Sequence, residues 1–427
     1  MHISSVSADG LIVPGSGGSA AAAAWGALRA EDWPLPLSAF PADAALVGGA
    51  VRDALLNRLS PTPDLDLVVA GDAIALCRTL SKRYGGSPVV LDAERDIGRL
   101  VIRGWSVDLA RREGQSLVED LQRRDYSINA MALPLAQRHE LVDPHGGLGH
   151  LRDGQLVALT ENNLLDDPLR LLRGIRLASE LGFQLETTTA EWIQQHRHKL
   201  TGVAGERILA ELEKLCQSPQ GHQGLQRCLD WDLLAPWQER GKPPVPLEPL
   251  TPQRAQALGF SADEWQVAGP LARMSAVLDG PGLLQLKSSR KLQQRVQRLR
   301  RWQQRLGPEA PGTRAESLSE AERLQLHRDL ASDLPALLLH WPTEAANTWL
   351  RRWRDPEDRL FHPKPAINGD QLQRELGLKA TPQLGSLLQF LMLEQAFGRL
   401  SGTNEALERA RQWLERQPFR QGEGPPP

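Results

Sequence analysis

The chain has 427 residues, enough for two to four domains and a real core without covalent staples. Its 50 basic and 52 acidic residues leave a net charge of −2, which argues against a strongly basic nucleic-acid coat protein but leaves room for one basic groove beside an acidic site. Cys77, Cys216 and Cys228 are an odd number without metal-ligand spacing, so neither a disulfide framework nor a zinc site is expected, and no apolar run reaches the ~18 residues of a membrane span.

Residues 1–35 read as a disordered leader, since 15–24 contain only Gly, Ser and Ala. No charged segment precedes an apolar one there, so no signal peptide is expected and the protein is placed in the cytoplasm. Residues 36–155 form the next block. Short β-rich runs at 45–47, 65–69, 88–91, 100–102, 106–109 and 130–133 alternate with helical stretches. From Asp167 onward the pattern is almost wholly helical, with amphipathic stretches at 169–181 and 207–215. Pro-rich or charged breaks fall at 238–252, 307–314 and 354–366, and 421–427 has no means of packing. The expected architecture is α+β. A small α/β head (36–155) precedes an elongated, all-helical remainder, divided into a neck (156–225) and a body with tail (226–427).

The head carries the chemistry. Leu46-Val47-Gly48-Gly49 is an apolar run ending in two glycines, and Ala50 to Leu56 reads as a helix start carrying Arg52. Glycines at such a junction let the backbone approach a ligand and leave N–H groups free for phosphate. Asp64-Leu65-Asp66-Leu67 follows after a Pro-containing loop. Strand side chains alternate, so the two carboxylates share one face and the two leucines enter the core. Two acids on a half-buried face repel each other, and an oxygen-seeking divalent cation such as Mg²⁺ relieves both that and their desolvation. Asp108, between apolar neighbours in 106–109, is a third candidate. If its strand lies beside Asp64 and Asp66, the three can hold two ions roughly 3.5–4 Å apart, as in-line phosphoryl transfer requires.

These residues carry a resemblance. Gly48-Gly49, a short gap, then Asp64-Leu65-Asp66 resembles the signature of the polymerase-β nucleotidyltransferase superfamily. The string from Leu46 to Arg58 with 64–69 resembles its class II branch, the bacterial CCA-adding enzymes and poly(A) polymerases. The resemblance is dense from 45 to 215 and thin afterwards. It implies that Asp64 and Asp66 hold metal, that Asp108 helps orient the attack, and that Gly48, Gly49 and Arg52 cradle the triphosphate. Arg123-Arg124-Asp125-Tyr126-Ser127-Ile128-Asn129 resembles the second motif, in which Arg124 is implied to meet the triphosphate and Asp125 and Asn129 the ribose. A guanidinium holding phosphate and a carboxylate accepting from a hydroxyl fit those parts. Asp143-Pro144-His145-Gly146-Gly147 resembles a hinge, but with His145 where Phe is usual and Gly149-His150 at a usually acidic place. Glu206 to Leu212 resembles a fifth motif that supports structure.

Asp166-Asp167-Pro168-Leu169-Arg170-Leu171-Leu172-Arg173-Gly174-Ile175-Arg176 carries the specificity. Asp167 as N-cap and Pro168 at the first turn explain a helix start. They do not explain Arg170, Arg173 and Arg176 at spacing three, opposite an apolar face. Cytosine and adenine each present an amino donor beside a ring-nitrogen acceptor, whereas guanine and uracil place an N–H at that ring position. A carboxylate with a guanidinium one turn away complements the first pair. Asp167 and Arg170 therefore suit C and A, and the resemblance implies the same protein template. Arg173 and Arg176 are expected at phosphate or base edge. Asp166 stands where the family usually has Glu.

Residues 287–305 hold eight basic residues and no acid. Among them Lys287, Arg290, Lys291, Arg295 and Arg298 are candidate contacts to tRNA phosphates, with a solvated helix face as the plain alternative. The expected activity is addition of C, C and A to the tRNA 3′ end from CTP and ATP, without a nucleic-acid template or an obligate protein partner. The stretch between Asp108 and Arg124 is short beside the flexible loop that the resemblance associates with switching from C to A. A partial CC-adding or A-adding enzyme is therefore a second expectation. Poly(A) polymerase, transfer to a small molecule and a non-catalytic RNA-binding protein are further alternatives.

Overall fold

A computed structural model of the chain describes residues 17–238 and 245–416. The chain separates into two compact units, 1–211 with 231–233, and 212–230 with 234–427. Among the described residues the first holds all the strands, and the second is helical. The α+β expectation holds.

The first unit opens with helix α1 (Gly17–Leu28). This corrects the expected leader. Ala20, Ala21, Ala24, Trp25 and Leu28 are buried, and Trp33, Leu35 and Phe40 after them are too. The alanine run is a packing face, because small side chains let a helix lie close to its neighbour. The remainder of the expected leader, 1–16, and the expected loose end, 421–427, lie outside the described residues.

Strand β1 (Ala45–Val47) leads into α2 (Gly49–Leu55), and β2 (Leu65–Val69) into α3 (Ala73–Tyr84). Strands β3 (Ser87–Asp92), β4 (Ile97–Ile102) and β5 (Trp105–Arg111) form a meander. Helix α4 (Leu117–Gln122) and strand β6 (Ala132–Pro134) complete the sheet region, whose strand order is β3-β4-β5-β2-β1-β6. β2 and β5 run parallel and the other neighbours antiparallel. One face is apolar. Leu65, Leu67, Leu100, Ile102, Val107 and Leu109 are buried on it. Gly98 lies against α3 there, where an added Cβ would stand 3.2 Å from the Cys77 Cβ. The opposite face carries the polar members of the same strands.

The rest of the unit is helical apart from a two-residue ladder, β7 (Gln155–Leu156) with β8 (Gln184–Leu185). Its helices are α5 (Gly147–Asp153), α6 (Glu161–Asp166), α7 (Leu169–Leu181), α8 (Thr187–Gln195) and α9 (Gly205–Gln217), the last crossing into the second unit. At the expected hinge, the Asp143 carboxylate accepts the N–H groups of Gly147 and Leu148 at 2.7 and 2.9 Å. Gly146 is left-handed at φ 69°, which favours glycine.

The second unit stacks α10 (Gly221–Asp230), α11 (Pro252–Ala257), α12 (Ala262–Val277), α13 (Gly280–Gln285), α14 (Arg290–Leu306), α15 (Pro311–Ser317), α16 (Glu320–Leu330), α17 (Leu334–Leu338) and α18 (Thr343–Arg354). Helices α19 (Gly369–Leu376), α20 (Pro382–Ala396) and α21 (Thr403–Arg416) share a core of Ile367, Leu372, Leu387, Leu391, Leu400 and Ala406. Arg273 of α12 is wholly buried. It donates to the carbonyls of Leu250, Cys216 and Ser218 at 2.7–2.9 Å. A guanidinium there satisfies the carbonyls left open at the end of α9.

Candidate active site

The parallel pairing of β2 with β5 sets Asp66 directly beside Asp108, and the antiparallel pairing of β5 with β4 sets Arg99 beside Asp108. Asp66, Asp108 and Arg99 thus form a row across three strands on the polar face. Asp64 is exposed and sits immediately before β2. Burial, then the charge of Asp108, push the Asp66 carboxyl up to about 6. A carboxylate in that condition suits a divalent cation. Asp64, Asp66 and Asp108 supply only oxygen, the donor set magnesium prefers, so the residues present fit the expected ion. Among the described residues, however, no three metal-ligating side chains stand close enough to enclose one as they are. At Asp108, Arg99 Nε and Nη2 donate to Oδ1 and Oδ2 at 2.6 and 2.8 Å.

The glycine turn closes over this row. Gly48 has φ 74°, and a Cβ added there would lie 3.5 Å from both Asp66 Oδ2 and Arg124 Nη1. The turn, the metal-binding candidate and the triphosphate candidate therefore converge. Arg52 is buried at the turn, its Nη2 3.7 Å from a Cβ added at Gly49, forked onto Asp53 at 2.8 and 3.0 Å and donating to Asn129 Oδ1 at 2.8 Å.

Asn129 in turn donates to Asp125 Oδ1 at 3.2 Å, and Arg173 donates to Asp125 Oδ2 at 3.3 Å. Burial alone would raise the Asp125 carboxyl. Arg173, Asn129 and the Tyr126 N–H outweigh it and hold the group below the usual range. The line continues, since Arg173 and Arg176 both donate to Glu211 of α9, at 3.4 and 2.6 Å, and Arg176 also pairs with Glu180. Arg176 is thus held by two carboxylates within the fold, one of them Glu211 of the fifth motif.

Helix α7 takes Pro168 as its cap where Asp167 was expected, while Asp167 accepts the Leu169 N–H at 3.4 Å. Asp167 also pairs with Arg207 at 2.9 Å. Arg170 Nη1 donates to the carbonyls of Arg123 and Asn163 at 3.0 and 2.8 Å. The two selector candidates are thus on adjacent turns, each fixed by a bond on one side.

Besides Arg99, two residues escaped the sequence reading. Asp120 of α4 is fully buried and accepts from Arg124, Arg123 and the Glu113 N–H at 3.0–3.2 Å. Asn163 donates to the carbonyls of Gln122 and Arg124 at 2.8 and 2.7 Å. Together they fix the segment that carries Arg124. An Asp three residues before an Arg pair was the available signal, though it is common on exposed helices.

In the second unit the basic segment is α14, which buries Val296, Leu299, Trp302 and Leu306. Arg295 is forked onto Asp333 at 2.7–3.1 Å, and Arg300 caps the Ser275 and Leu278 carbonyls. Arg290, Lys291 and Arg298 make no ion pair among the described residues.

Comparison with known proteins gives the family. Residues 103–157 match the poly A polymerase head domain, and 182–239 match the probable RNA and SrmB-binding site of polymerase A. The CC-adding tRNA nucleotidyltransferase of Synechocystis sp. is 33% identical over 405 residues, covering 89% of this chain and 95% of its own. The chain belongs to the tRNA nucleotidyltransferases of the class II CCA-adding enzyme and poly(A) polymerase family. A second member of that family, the CC-adding tRNA nucleotidyltransferase of Thermus thermophilus, is 31% identical over 86% of this chain and 92% of its own. The Thermotoga maritima CCA-adding enzyme complexed with tRNA shares the fold, with TM-score 0.64 and 22% identity over 87% of this chain and 91% of that one. Within the family frame, no helix among the described residues is long and apolar enough to cross a membrane.

Proposed function

We propose that this chain builds the CCA end of tRNA from CTP and ATP without a nucleic-acid template. The observation that carries the reading is the convergence of Asp66, Gly48 and Arg124 beside Asp108. In each addition the RNA 3′-oxygen forms a bond to the α-phosphorus of the nucleotide, and the bond from that phosphorus to the bridging oxygen of pyrophosphate breaks. Asp64 and Asp66 would hold Mg²⁺, with Asp108 completing the site for a second ion. Such ions lower the pKa of the attacking hydroxyl and offset charge on the phosphoryl oxygens. Gly48 and Gly49 let the triphosphate approach the backbone, and Arg124, anchored by Asp120, meets it with a guanidinium. Asp125 and Asn129 stand on the ribose side. Asp167 and the remaining donors of Arg170 read the base, favouring C and A by complementarity. A cytoplasmic location fits such a substrate.

A second reading is that addition stops after the second C. Two observations favour it. Only residues 112–116 join β5 to α4, where the flexible loop of a full CCA-adding enzyme is expected. The relatives from Synechocystis and Thermus, which match nearly end to end, are both named CC-adding.

The test is incorporation with Mg²⁺ on tRNAs ending at the discriminator base, at C or at CC, supplied with CTP, ATP or both. Growth by three residues supports full CCA addition, and growth by two that halts at CC supports the second reading. Extension of the CC-ended tRNA alone would mean an A-adding enzyme, and long A tails a poly(A) polymerase. The Asp66→Asn variant is expected to lose incorporation by about a hundred- to a thousandfold, the scale on which removing a key electrostatic group slows an enzyme. Wild-type protein inert on every RNA would reject the proposal.

A further inference from the structure

We propose that Arg99 is a latch on the third carboxylate, holding Asp108 in a two-bond fork while the site is free of metal and releasing it when a divalent ion is taken up beside Asp66. The inference rests on reading the carboxylate row as the metal site of nucleotidyl transfer.

Three observations carry it. The first is position. Arg99, Asp108 and Asp66 are paired in one line across β4, β5 and β2, so Arg99 and Asp66 flank Asp108 on opposite sides. A fork from the β4 side holds the Asp108 carboxylate away from Asp66. The second is saturation. Both oxygens of Asp108 are engaged, at 2.6 and 2.8 Å, in the paired geometry that makes an arginine–carboxylate contact strong. The third is freedom to leave. The Arg99 side chain is 39% exposed, and the chain beyond it is the sheet edge, β3, so the guanidinium has solvent to move into.

The electrostatics give the latch its sense. Three carboxylates on one sheet face repel one another, and a single cation placed among them reduces that repulsion. Without metal, Arg99 is that cation at Asp108, while Arg124 serves Asp66. A divalent ion offsets the same charges more fully, and a guanidinium left at Asp108 would then face it as a like charge. The two therefore compete for one carboxylate. A bare three-carboxylate cluster would hold an ion tightly through every cycle, whereas a latched one binds it reversibly.

The test is Mn²⁺ binding to the full chain without RNA or nucleotide, read from the electron paramagnetic resonance of free Mn²⁺. Wild type, Arg99→Gln, Asp108→Asn and the double variant form a cycle. Arg99→Gln is expected to tighten Mn²⁺ binding about tenfold, the size of one charge-assisted contact. On the Asp108→Asn background the same change should have no effect beyond about twofold, the usual limit of independence. Weaker or unchanged binding in Arg99→Gln would mean that Arg99 orients Asp108 for the ion, and the latch is wrong. Equal tightening on both backgrounds would reduce Arg99 to a general field effect, which also rejects it. If Arg99→Gln does not fold, Arg99→Lys keeps the charge, loses the fork and should tighten binding about threefold; no tightening there rejects the latch. Incorporation by the wild type is measured separately. Its failure would overturn the proposed function while the Mn²⁺ cycle still reports on Arg99.

Discussion

At the scale of the residue, the structure turns on carboxylates whose charge is spent inside the fold. Asp120 is the clearest. It has no exposed surface, yet it stays ionised, because Arg124, the Glu113 N–H and Arg123 outweigh the burial that would raise its carboxyl. Asp120→Ala removes the counter-charge from two guanidiniums at once. Breaking a buried pair in this way costs about 3 kcal/mol, and urea unfolding should show it. The Michaelis constant for CTP should rise as well, because Arg124 loses its anchor, whereas Asp120→Asn keeps an acceptor for the Glu113 N–H and should cost less. The sign with pH is definite. A depressed carboxyl contributes its stability above the unfolded value near 4 and loses it as pH falls through the folded one. Little of this was legible in the sequence. The polar face carrying Asp66 and the one carrying Asp108 could each be read there, because alternation on a strand fixes which side chains share a face. Asp120 and Arg99 could not, because what matters is which partner lies across a strand or turn. For the same reason the carboxylates that hold Arg52 and Arg176, Asp53 and Glu211, were not legible as their partners.

At the scale of the element, α7 shows how packing places chemistry. Its period was plain in 169–181, and the structure keeps those bounds. Its position depends on Gly174, which periodicity treats as a weakness. A Cβ there would stand 2.1 Å from the Tyr126 hydroxyl and 2.8 Å from its ring carbon. That hydroxyl donates to the Arg170 carbonyl at 2.7 Å, so the glycine lets a buried tyrosine fasten the helix that carries the selectors. Gly174→Ala gains about 1 kcal/mol of helix propensity but must push Tyr126 or the helix aside, at a cost of about 1–3 kcal/mol or more. A lower melting temperature and poorer discrimination of CTP against UTP are both expected. Adding Tyr126→Phe should recover part of the melting temperature, and no recovery would place the clash elsewhere.

Helix α14 teaches the converse. Its basic residues read as one RNA-facing surface, but the acids that absorb several of them lie on other elements. Asp333 takes Arg295, Asp329 takes Arg301 and Glu322 takes Arg305. Such partners, distant in sequence, leave no mark on the local charge pattern. Arg295→Ala should therefore lower stability by roughly 2 kcal/mol, leaving Asp333 buried and unpaired. Arg298→Ala should leave the melting temperature unchanged. If that face meets tRNA, it should weaken binding and flatten the salt dependence by about one phosphate contact.

At the scale of the whole molecule, the order of a strand-bearing unit followed by a helical one was legible, because the hydrophobic period changes along the chain. The first helix was not, since an alanine-rich run without charges carries no amphipathic signature even when it packs. Equally hidden was how the second unit treats its histidines. His327 of α16 is buried against Phe361, with ring centroids 3.9 Å apart, and both its ring nitrogens lack a hydrogen-bond partner. Desolvation, then the charge of Arg352, pushes its pKa down to about 3. Burial pushes His340 down to about 4, and burial with Arg273 does the same for His222. All three are neutral in the fold and take up protons readily only when it opens. With folded values depressed below the unfolded one near 6.5, the unfolded state binds more protons than the folded one throughout the window from about 6.5 to 4. Stability must fall as pH falls through that window, by about 1.4 kcal/mol per pH unit for each histidine. Melting of the full chain should therefore drop steeply between pH 6 and 4.5, well above the range where most carboxylates titrate. His327→Phe keeps an aromatic ring against Phe361 and Trp349 without a titratable nitrogen. It should leave the melting temperature at pH 8 equal or higher and make the acid slope shallower by one proton. An unchanged slope would mean that His327 is not neutral in the fold, and that its two nitrogens find partners the packing does not show.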